Sequence, residues 1–156
     1  MVFSSQVYAS WKEIQEEKYK IILQRFPEIF SGLILDIGSG KGYLETALAD
    51  NKIGANIVCI DIEKPATLLA SGDKLPFKDN SFDTVISIDT MHLIKSKDFE
   101  RVLKKGGLVL FTLFFNQENY SSKKKLIEEK LSGFEMLSSV TAAGKENEYM
   151  VLAKKR

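Results

Sequence analysis

Apolar residues occur along this chain in short blocks separated by mixed polar and apolar stretches. Four blocks are almost continuously apolar, at residues 33–37, 57–61, 82–88 and 108–115. Runs of this length and character are typical of parallel strands that are covered on both faces. They predict the core of a parallel sheet, and the last and most apolar block predicts a central strand.

The stretches around these strands show helical spacing. Ser10 and Glu13 have the spacing of a capping box, apolar residues recur at positions 14, 21, 22 and 26, and Pro27 then discourages continuation. A helix is therefore predicted from Ser10. Tyr8 and Trp11 beside its start are expected to anchor in the core, or else to close over a ligand. Further helices are predicted at 41–50, at 96–105 ending at two glycines, and from Ser121 or Ser122 to residue 131.

The end of the chain and one early connection define the edges of the sheet. Residues 134–141 and 148–154 predict an antiparallel hairpin around a polar loop. Only residues 62–66 separate the second strand from the short apolar run 67–70, whereas a parallel crossover needs about a dozen residues. Run 67–70 is therefore predicted to be a vestigial edge strand or an extended loop. The whole pattern predicts an α/β fold, a doubly wound, Rossmann-like and mostly parallel sheet that ends in an antiparallel hairpin and is trimmed after the second strand.

Length and composition narrow the class of protein. The 156 residues fit one domain, with an N-terminal helical segment at 1–30, a ligand-binding core at 33–115 and a C-terminal helix and hairpin at 119–156. A net charge of +1 gives no general attraction to nucleic acid, and one cysteine with one histidine supplies too few ligands for structural zinc. Without a secretory signal pattern or an apolar run near 20 residues, a cytoplasmic protein without a membrane span is expected.

The candidate chemistry begins where the first strand meets the second helix. The run from Asp36 to Gly42 reads Asp-Ile-Gly-Ser-Gly-Lys-Gly. Glycines allow the backbone to bend sharply and to approach a ligand closely, and the N-terminus of the following helix favours an anionic group. Asp36 can instead accept hydrogen bonds from an ammonium group or a bound water.

Asp61 indicates what kind of ligand this turn binds. It follows Gly42 by 19 residues, at the end of the second strand, where a carboxylate can bind the two hydroxyls of a ribose. A dinucleotide site favours G-x-G-x-x-G, but Tyr43 stands at the third glycine position. An adenosine-containing ligand is predicted, and a nicotinamide cofactor becomes the weaker alternative.

Five segments in order resemble the class I S-adenosylmethionine-dependent methyltransferases, and most closely the broad small-molecule branch. They are residues 35–42, Asp61, residues 75–77, residues 80–83 and residues 103–108. The resemblance implies S-adenosyl-L-methionine as the cofactor and methyl transfer by in-line displacement. It also implies a small-molecule acceptor, while a protein side chain or an RNA base stays open.

The resemblance also implies roles for individual residues. Gly38 and Gly40 would line the methionine half of the cofactor, Ile62 would pack on adenine, and Ser87 would lie near the methionine portion. Many relatives have an aspartate where this chain has Ser71, so either Ser71 or Asp73 is expected near the adenine amino group. The predicted cofactor-binding residues are Asp36, Gly38, Ser39, Gly40, Asp61, Ile62, Ser71, Gly72 and Ser87.

No residue is assigned as catalytic from the sequence. Asp89 and His92 follow the Ser87 strand where relatives meet their substrate, so each is a candidate general base. The alternatives are that Asp89 caps a turn beginning at Thr90 and that His92 packs against a helix end. No lid segment is expected over the carboxyl ends of the strands, so the site is expected to be open there. A second copy of the chain or a partner subunit could complete it. The alternative function is a non-catalytic S-adenosylmethionine-binding or regulatory subunit of a larger methyltransferase complex.

Overall fold

The computed structural model describes residues 5–63 and 66–156, and of residues 5–11 it describes the backbone alone. The predictions for the side chains of Tyr8 and Trp11 therefore lie outside the described residues. In chain order the elements are α1 (Ser5–Arg25), a 3-10 helix (Pro27–Phe30), β1 (Leu33–Ile37), α2 (Tyr43–Asp50), β2 (Asn56–Asp61), β3 (Leu68–Leu69), β4 (Phe82–Ile88), a 3-10 helix (Met91–Leu93), α3 (Phe99–Val102), β5 (Leu103–Phe115), α4 (Tyr120–Lys130), β6 (Glu135–Ala142) and β7 (Asn147–Lys154).

The strands form one sheet in the order β3-β2-β1-β4-β5-β7-β6. Neighbours from β3 to β5 pair in parallel, whereas β7 runs antiparallel to both β5 and β6. The predicted Rossmann-like sheet with a terminal hairpin is confirmed. The trimmed edge is confirmed as well, because β3 has only two residues and the described residues between β2 and β3 form no helix. The strand predicted to be central is interior, but β4 occupies the middle of the sheet.

Three helix predictions are wrong in detail. Helix α1 begins at Ser5, so Ser10 lies inside it and does not cap it. Helix α3 covers only Phe99–Val102, because the following residues pair instead: the Gly106 amide donates to the Lys155 carbonyl at 2.9 Å and extends β5. Helix α4 has Asn119 rather than a serine at its N-cap. Local sequence patterns do not contain these long-range strand contacts.

The core lies on both faces of the sheet because side chains alternate along each strand. On one face α1 and α2 bury Ile22, Phe26 and Leu44 against β1 and β4. On the other, α3 and α4 cover β5 with Phe99 and Ile127. Burying each such side chain contributes about 1.5–3 kcal/mol, so both layers hold the strand ends in fixed positions.

The 75–79 segment is held by one arginine. Arg101 donates to the carbonyls of Leu75 at 3.0 Å and Phe77 at 2.7 Å, and it forms ion pairs with Asp79 and Asp98. A guanidinium suits this role because its donors lie in a rigid plane. The motif at residues 75–77 therefore has a structural role, which is to fix the conformation of this loop. Within the described part of the chain, no helix is both long and apolar enough to cross a membrane.

Candidate active site

A cleft of about 330 Å³ lies at the carboxyl ends of β1, β2 and β4. This is the edge of an open α/β sheet where ligands usually bind. The cleft is lined by Ile37, Gly38, Asp61, Ile62, Glu63, Ala70, Ser71, Gly72, Asp73, Thr90, Leu93 and Ile94. Five predicted residues are thus brought together: Gly38, Asp61, Ile62, Ser71 and Gly72.

Gly38 forms the bend that opens this cleft. Its φ of 78° is a conformation that favours glycine, and its amide donates to the Ile60 carbonyl at 2.9 Å. A Cβ at this position would lie 2.3 Å from Oγ1 of Thr90. The bend is therefore restricted to glycine by both backbone conformation and space.

Asp61 closes the glycine turn from the neighbouring strand. Its Oδ2 accepts from the Gly40 amide at 3.0 Å, and its Oδ1 accepts from the Glu63 amide at 3.1 Å. A carboxylate has about four lone-pair sites, so both oxygens can still accept from ribose hydroxyls. The arrangement orients a negative charge toward the cleft.

Ser71 and Asp73 both line the cleft, and they differ in the hydrogen bonds that they already make. Oδ1 of Asp73 accepts from the Lys95 amide at 2.7 Å and the Ser96 amide at 2.8 Å, and these bonds lower the pKa of Asp73. The Ser71 hydroxyl accepts from the Asp73 amide at 3.1 Å. One oxygen of Asp73 is therefore held by the loop, whereas the Ser71 hydroxyl can still accept a hydrogen bond through its second lone pair.

Two apolar side chains on the cleft are largely open to water. Ile62 is 74% exposed and Leu93 is 68% exposed, although both line the cleft. Covering such surface is favourable at about 25 cal/mol per Å². Their position suits a flat apolar ring. Leu93 was not predicted from the sequence, because it carries no motif that would distinguish it from a core residue.

Four predicted binding residues are not among the lining residues of the cleft: Gly40 lies in the glycine turn closed by Asp61, and Asp36, Ser39 and Ser87 are buried. The Ser39 hydroxyl donates to the Ile60 carbonyl at 3.4 Å, and the Ser87 hydroxyl donates to the Ile37 carbonyl at 3.1 Å. Asp36 is 3% exposed, and burial, followed by the charges of Glu45 and Asp61, raises its pKa to about 7. In this structure the two serines tie strand ends together.

Asp89 and His92 lie beyond β4, as predicted. Asp89 does not cap the following turn, because Thr90 occupies the N-cap position, and its Oδ1 accepts from the Phe114 amide at 2.8 Å. His92 Nδ1 is buried without a hydrogen-bond partner in the described part of the chain. Burial and Lys123 lower the His92 pKa, and Asp89 opposes them. A neutral imidazole here can accept a proton at pH 7.

A buried ionic cluster behind the cleft was not predicted. Lys18 of α1 contacts the Asp89 carboxylate and lies 2.9 Å from Oε1 of Glu148 on β7. Burial, followed by the Asp89 charge, raises the Glu148 pKa to about 8, and Lys18 opposes them. One signal was present in the sequence: Lys18 lies four residues from both Ile14 and Ile22, on the apolar face of its helix.

Comparisons with known proteins identify the family. A family model described as a methyltransferase domain matches residues 35–111. Residues 35–111 therefore form a methyltransferase domain, which supports the predicted resemblance to the class I S-adenosylmethionine-dependent methyltransferases. A curated member, malonyl-acyl-carrier protein O-methyltransferase of Geobacter sulfurreducens, is 32% identical over 101 residues, which cover 52% of this chain and 38% of that protein. The chain spans less than half the length of the curated relatives it matches.

Solved structures share the fold of this methyltransferase domain. An S-adenosylmethionine-dependent methyltransferase from Thermotoga maritima has a TM-score of 0.66 at 17% identity, covering 96% of this chain and 95% of that one. The [4+2]-cyclase SpnF has a TM-score of 0.75 at 13% identity, covering 93% and 82%. At such identities the likeness concerns the fold, and the cyclase shows that one fold serves different reactions.

The matched methyltransferase domain bears on two of the questions left open by the sequence, the cofactor and the non-catalytic alternative. It implies S-adenosylmethionine as the cofactor, in agreement with the prediction from the resemblance. The comparisons do not favour a non-catalytic subunit, since the matched domain and the Geobacter relative are both named as methyltransferases.

Proposed function

We propose that this chain binds S-adenosylmethionine in the cleft and transfers its methyl group to an acceptor molecule. The observation that carries the proposal is the pairing of the Gly38 bend with the Asp61 carboxylate on one cleft. The bend would accept the amino-acid portion of the cofactor and the carboxylate its ribose. The remaining lining would accept the adenine ring, between the exposed side chains of Ile62 and Leu93.

The residues of the cleft fit this cofactor in space as well as in chemistry. Its volume of about 330 Å³ is within the range of small-molecule pockets. A Cβ at Gly72 would lie 2.5 Å from Cδ1 of Ile94, so the wall is shaped by the lack of a side chain there, as at Gly38. When bound, the sulfonium supplies an activated methyl group. The contribution of the protein is then mainly to position the reactants.

We propose a small-molecule acceptor that carries a nucleophilic oxygen or nitrogen. The Geobacter relative is named as an O-methyltransferase of malonyl-acyl-carrier protein, which makes malonyl compounds the first acceptors to assay. A protein side chain or an RNA base would be identified by the same labelled-methyl assay if the small molecules fail. We also propose that residues 1–156 form a single domain. A second subunit, either another copy of this chain or another protein, would complete the acceptor side of the site.

Cofactor binding is tested by calorimetric titration with S-adenosylhomocysteine. Asp61→Ala is expected to weaken binding about 10- to 100-fold, because hydrogen bonds to a charged group contribute about 1.5–3 kcal/mol. Glu135→Ala is the matched control, since that carboxylate is exposed on β6 at the opposite edge of the sheet. Wild-type protein that does not bind at millimolar ligand, or an Asp61→Ala variant of unchanged affinity, would refute the proposal.

A further inference from the structure

The buried ionic cluster joins three separate parts of the fold. It consists of Lys18 from α1, Asp89 from the turn after β4 and Glu148 from β7. Lys18 and Glu148 are each only 3% exposed, so their charged groups are removed from water. The Lys18–Glu148 contact is not a well-directed hydrogen bond, because neither Glu148 oxygen has a hydrogen-bond partner in the described residues.

Stability alone does not explain this cluster. Moving charges out of water is costly, and apolar side chains of similar volume are often at least as stabilising as a buried ion pair. Two further ionisable groups of the described residues lie near the cluster, and neither is a cation: Tyr19 is on the same helix turn as Lys18, and Asp36 is buried on β1. With the Glu148 pKa raised to about 8, Glu148 carries a proton at neutral pH and Lys18 with Asp89 forms the charged pair.

Asp89 is held in an unusual backbone conformation. Its φ is 57°, which costs a non-glycine residue about 1 kcal/mol or more and persists only where surrounding contacts impose it. Those contacts are present on every side. The Asp89 amide donates to the Thr112 carbonyl at 3.0 Å, one carboxylate oxygen accepts from the Phe114 amide, and the other contacts Lys18.

The strained turn continues directly into the cleft. Thr90 lines the cleft, and its side chain fills the space over Gly38 where a Cβ would lie. The direction in which the chain leaves Asp89 therefore sets the position of Thr90 against the glycine bend. The interior contact between Lys18 of α1 and Asp89 is thus only one peptide unit away from Thr90, which forms part of the cleft wall.

We propose that Lys18 is a positioning residue, which holds Asp89 in its strained turn and thereby sets the Thr90 wall of the cofactor cleft against Gly38. This inference rests on the proposed cofactor site. It assigns to α1 a direct influence on ligand affinity, although Lys18 itself lies outside the cleft lining. Loss of the Lys18 ammonium would let Asp89 relax, and Thr90 would lose its fixed position.

The test is a double-mutant cycle on S-adenosylhomocysteine affinity. Lys18→Met keeps a side chain of similar length and removes its positive charge. Asp89→Asn removes the negative charge with which Lys18 pairs. Each variant is expected to weaken binding about tenfold, and the double variant no more than either single one, because coupled residues are non-additive. Lys145→Met is the control, since it breaks the exposed contact of Lys145 with Glu13 of α1 and is expected to change affinity less than about twofold.

The outcomes separate positioning from simple loss of stability. Circular dichroism first establishes that each variant is folded at the titration temperature. The double variant removes both charges of the pair and so leaves no unpaired buried charge. If Lys18→Met does not fold, the double variant is compared with Asp89→Asn instead. Binding by the double variant that is more than about threefold weaker than that of Asp89→Asn would overturn the proposal, as would a Lys18→Met variant of wild-type affinity.

A second measurement remains informative if the wild type does not bind the cofactor. His92 is the single histidine of the chain, so its imidazole proton signal in a one-dimensional NMR spectrum needs no assignment. The Asp89 charge raises the His92 pKa. Well above this pKa, where the imidazole is neutral, the chemical shift of the signal reports the local geometry of the turn that His92 shares with Asp89 and Thr90. Lys18→Met is expected to change this chemical shift, and Lys145→Met to leave it unchanged. An unchanged value in Lys18→Met would overturn the positioning role independently of cofactor binding.

Discussion

At the scale of single residues, Ser71 stands where the resemblance to class I methyltransferases implies an aspartate. Ser71 and Asp73 both line the cleft, but Oδ1 of Asp73 already accepts from the amides of Lys95 and Ser96. The adenine amino group would therefore meet a neutral hydroxyl in this chain. A hydroxyl is a weaker hydrogen-bond acceptor than a carboxylate, so affinity for the cofactor is expected to be below what the cleft could reach.

Ser71→Asp is accordingly predicted to strengthen S-adenosylhomocysteine binding about three- to tenfold. A charge-assisted hydrogen bond is roughly twice as strong as a neutral one, and repulsion from Asp61 and Asp73 limits the gain. Calorimetry measures the change, with Ser71→Ala as the control that removes the hydroxyl and adds no charge. Weaker binding by Ser71→Asp than by wild type would place the adenine amino group elsewhere.

At the scale of elements, Arg101 is predicted to be the residue on which the 75–79 loop depends. It links the end of α3 to two loop carbonyls and to Asp79 through one planar group. Arg101→Lys keeps a charge but can satisfy fewer of these acceptors, so it is expected to lower the melting temperature by about 2–6 °C. Lys104→Arg, which keeps its contact with Asp83, should change it by less than about 1 °C. Equal melting temperatures in Arg101→Lys and wild type would contradict this role.

Elements with a continuous local signal were predictable, and those shaped by distant contacts were not. Strands β1 and β4 have the predicted bounds, because each apolar run is closed on both sides by polar or glycine residues. Helix α3 is shorter than predicted because Leu103 pairs with Phe82 and so begins β5 early. No local pattern contains that pairing.

The same distinction applies to the candidate site. Gly38 and Asp61 were identified from spacing and resemblance, since both lie in one strand-turn-helix-strand segment. Lys18 and Asp89 are 71 positions apart and meet only when α1 packs on the sheet. A lysine on an apolar helix face indicates a buried charge, but the sequence does not say which carboxylate it meets.

At the scale of the whole molecule, two buried carboxyl groups with raised pKa values make stability depend on pH. The pKa of Asp36 is about 7 and that of Glu148 about 8, against ordinary values of 3.8 and 4.5. From about pH 4.5 to 8 the folded state therefore binds more protons than the unfolded state, so the free energy of unfolding falls as pH rises. Half-buried carboxyl groups with lowered pKa values, such as Asp83 and Asp98, act oppositely but only at lower pH.

The free energy of unfolding is predicted to be about 4–5 kcal/mol larger at pH 5.5 than at pH 8.5, since each unit of pKa difference corresponds to about 1.4 kcal/mol. The lowered pKa of His92 opposes the two carboxyl groups and reduces the difference slightly. Urea denaturation followed by circular dichroism at both values measures it. Asp36→Asn and Glu148→Gln, alone and together, should flatten the dependence stepwise, because each removes one proton that the folded state retains. Stability that is constant or rises across this range would mean that both carboxyl groups are ionised in the folded protein. The interior beneath the cleft would then be far more hydrated than the packing of α1 against the sheet indicates.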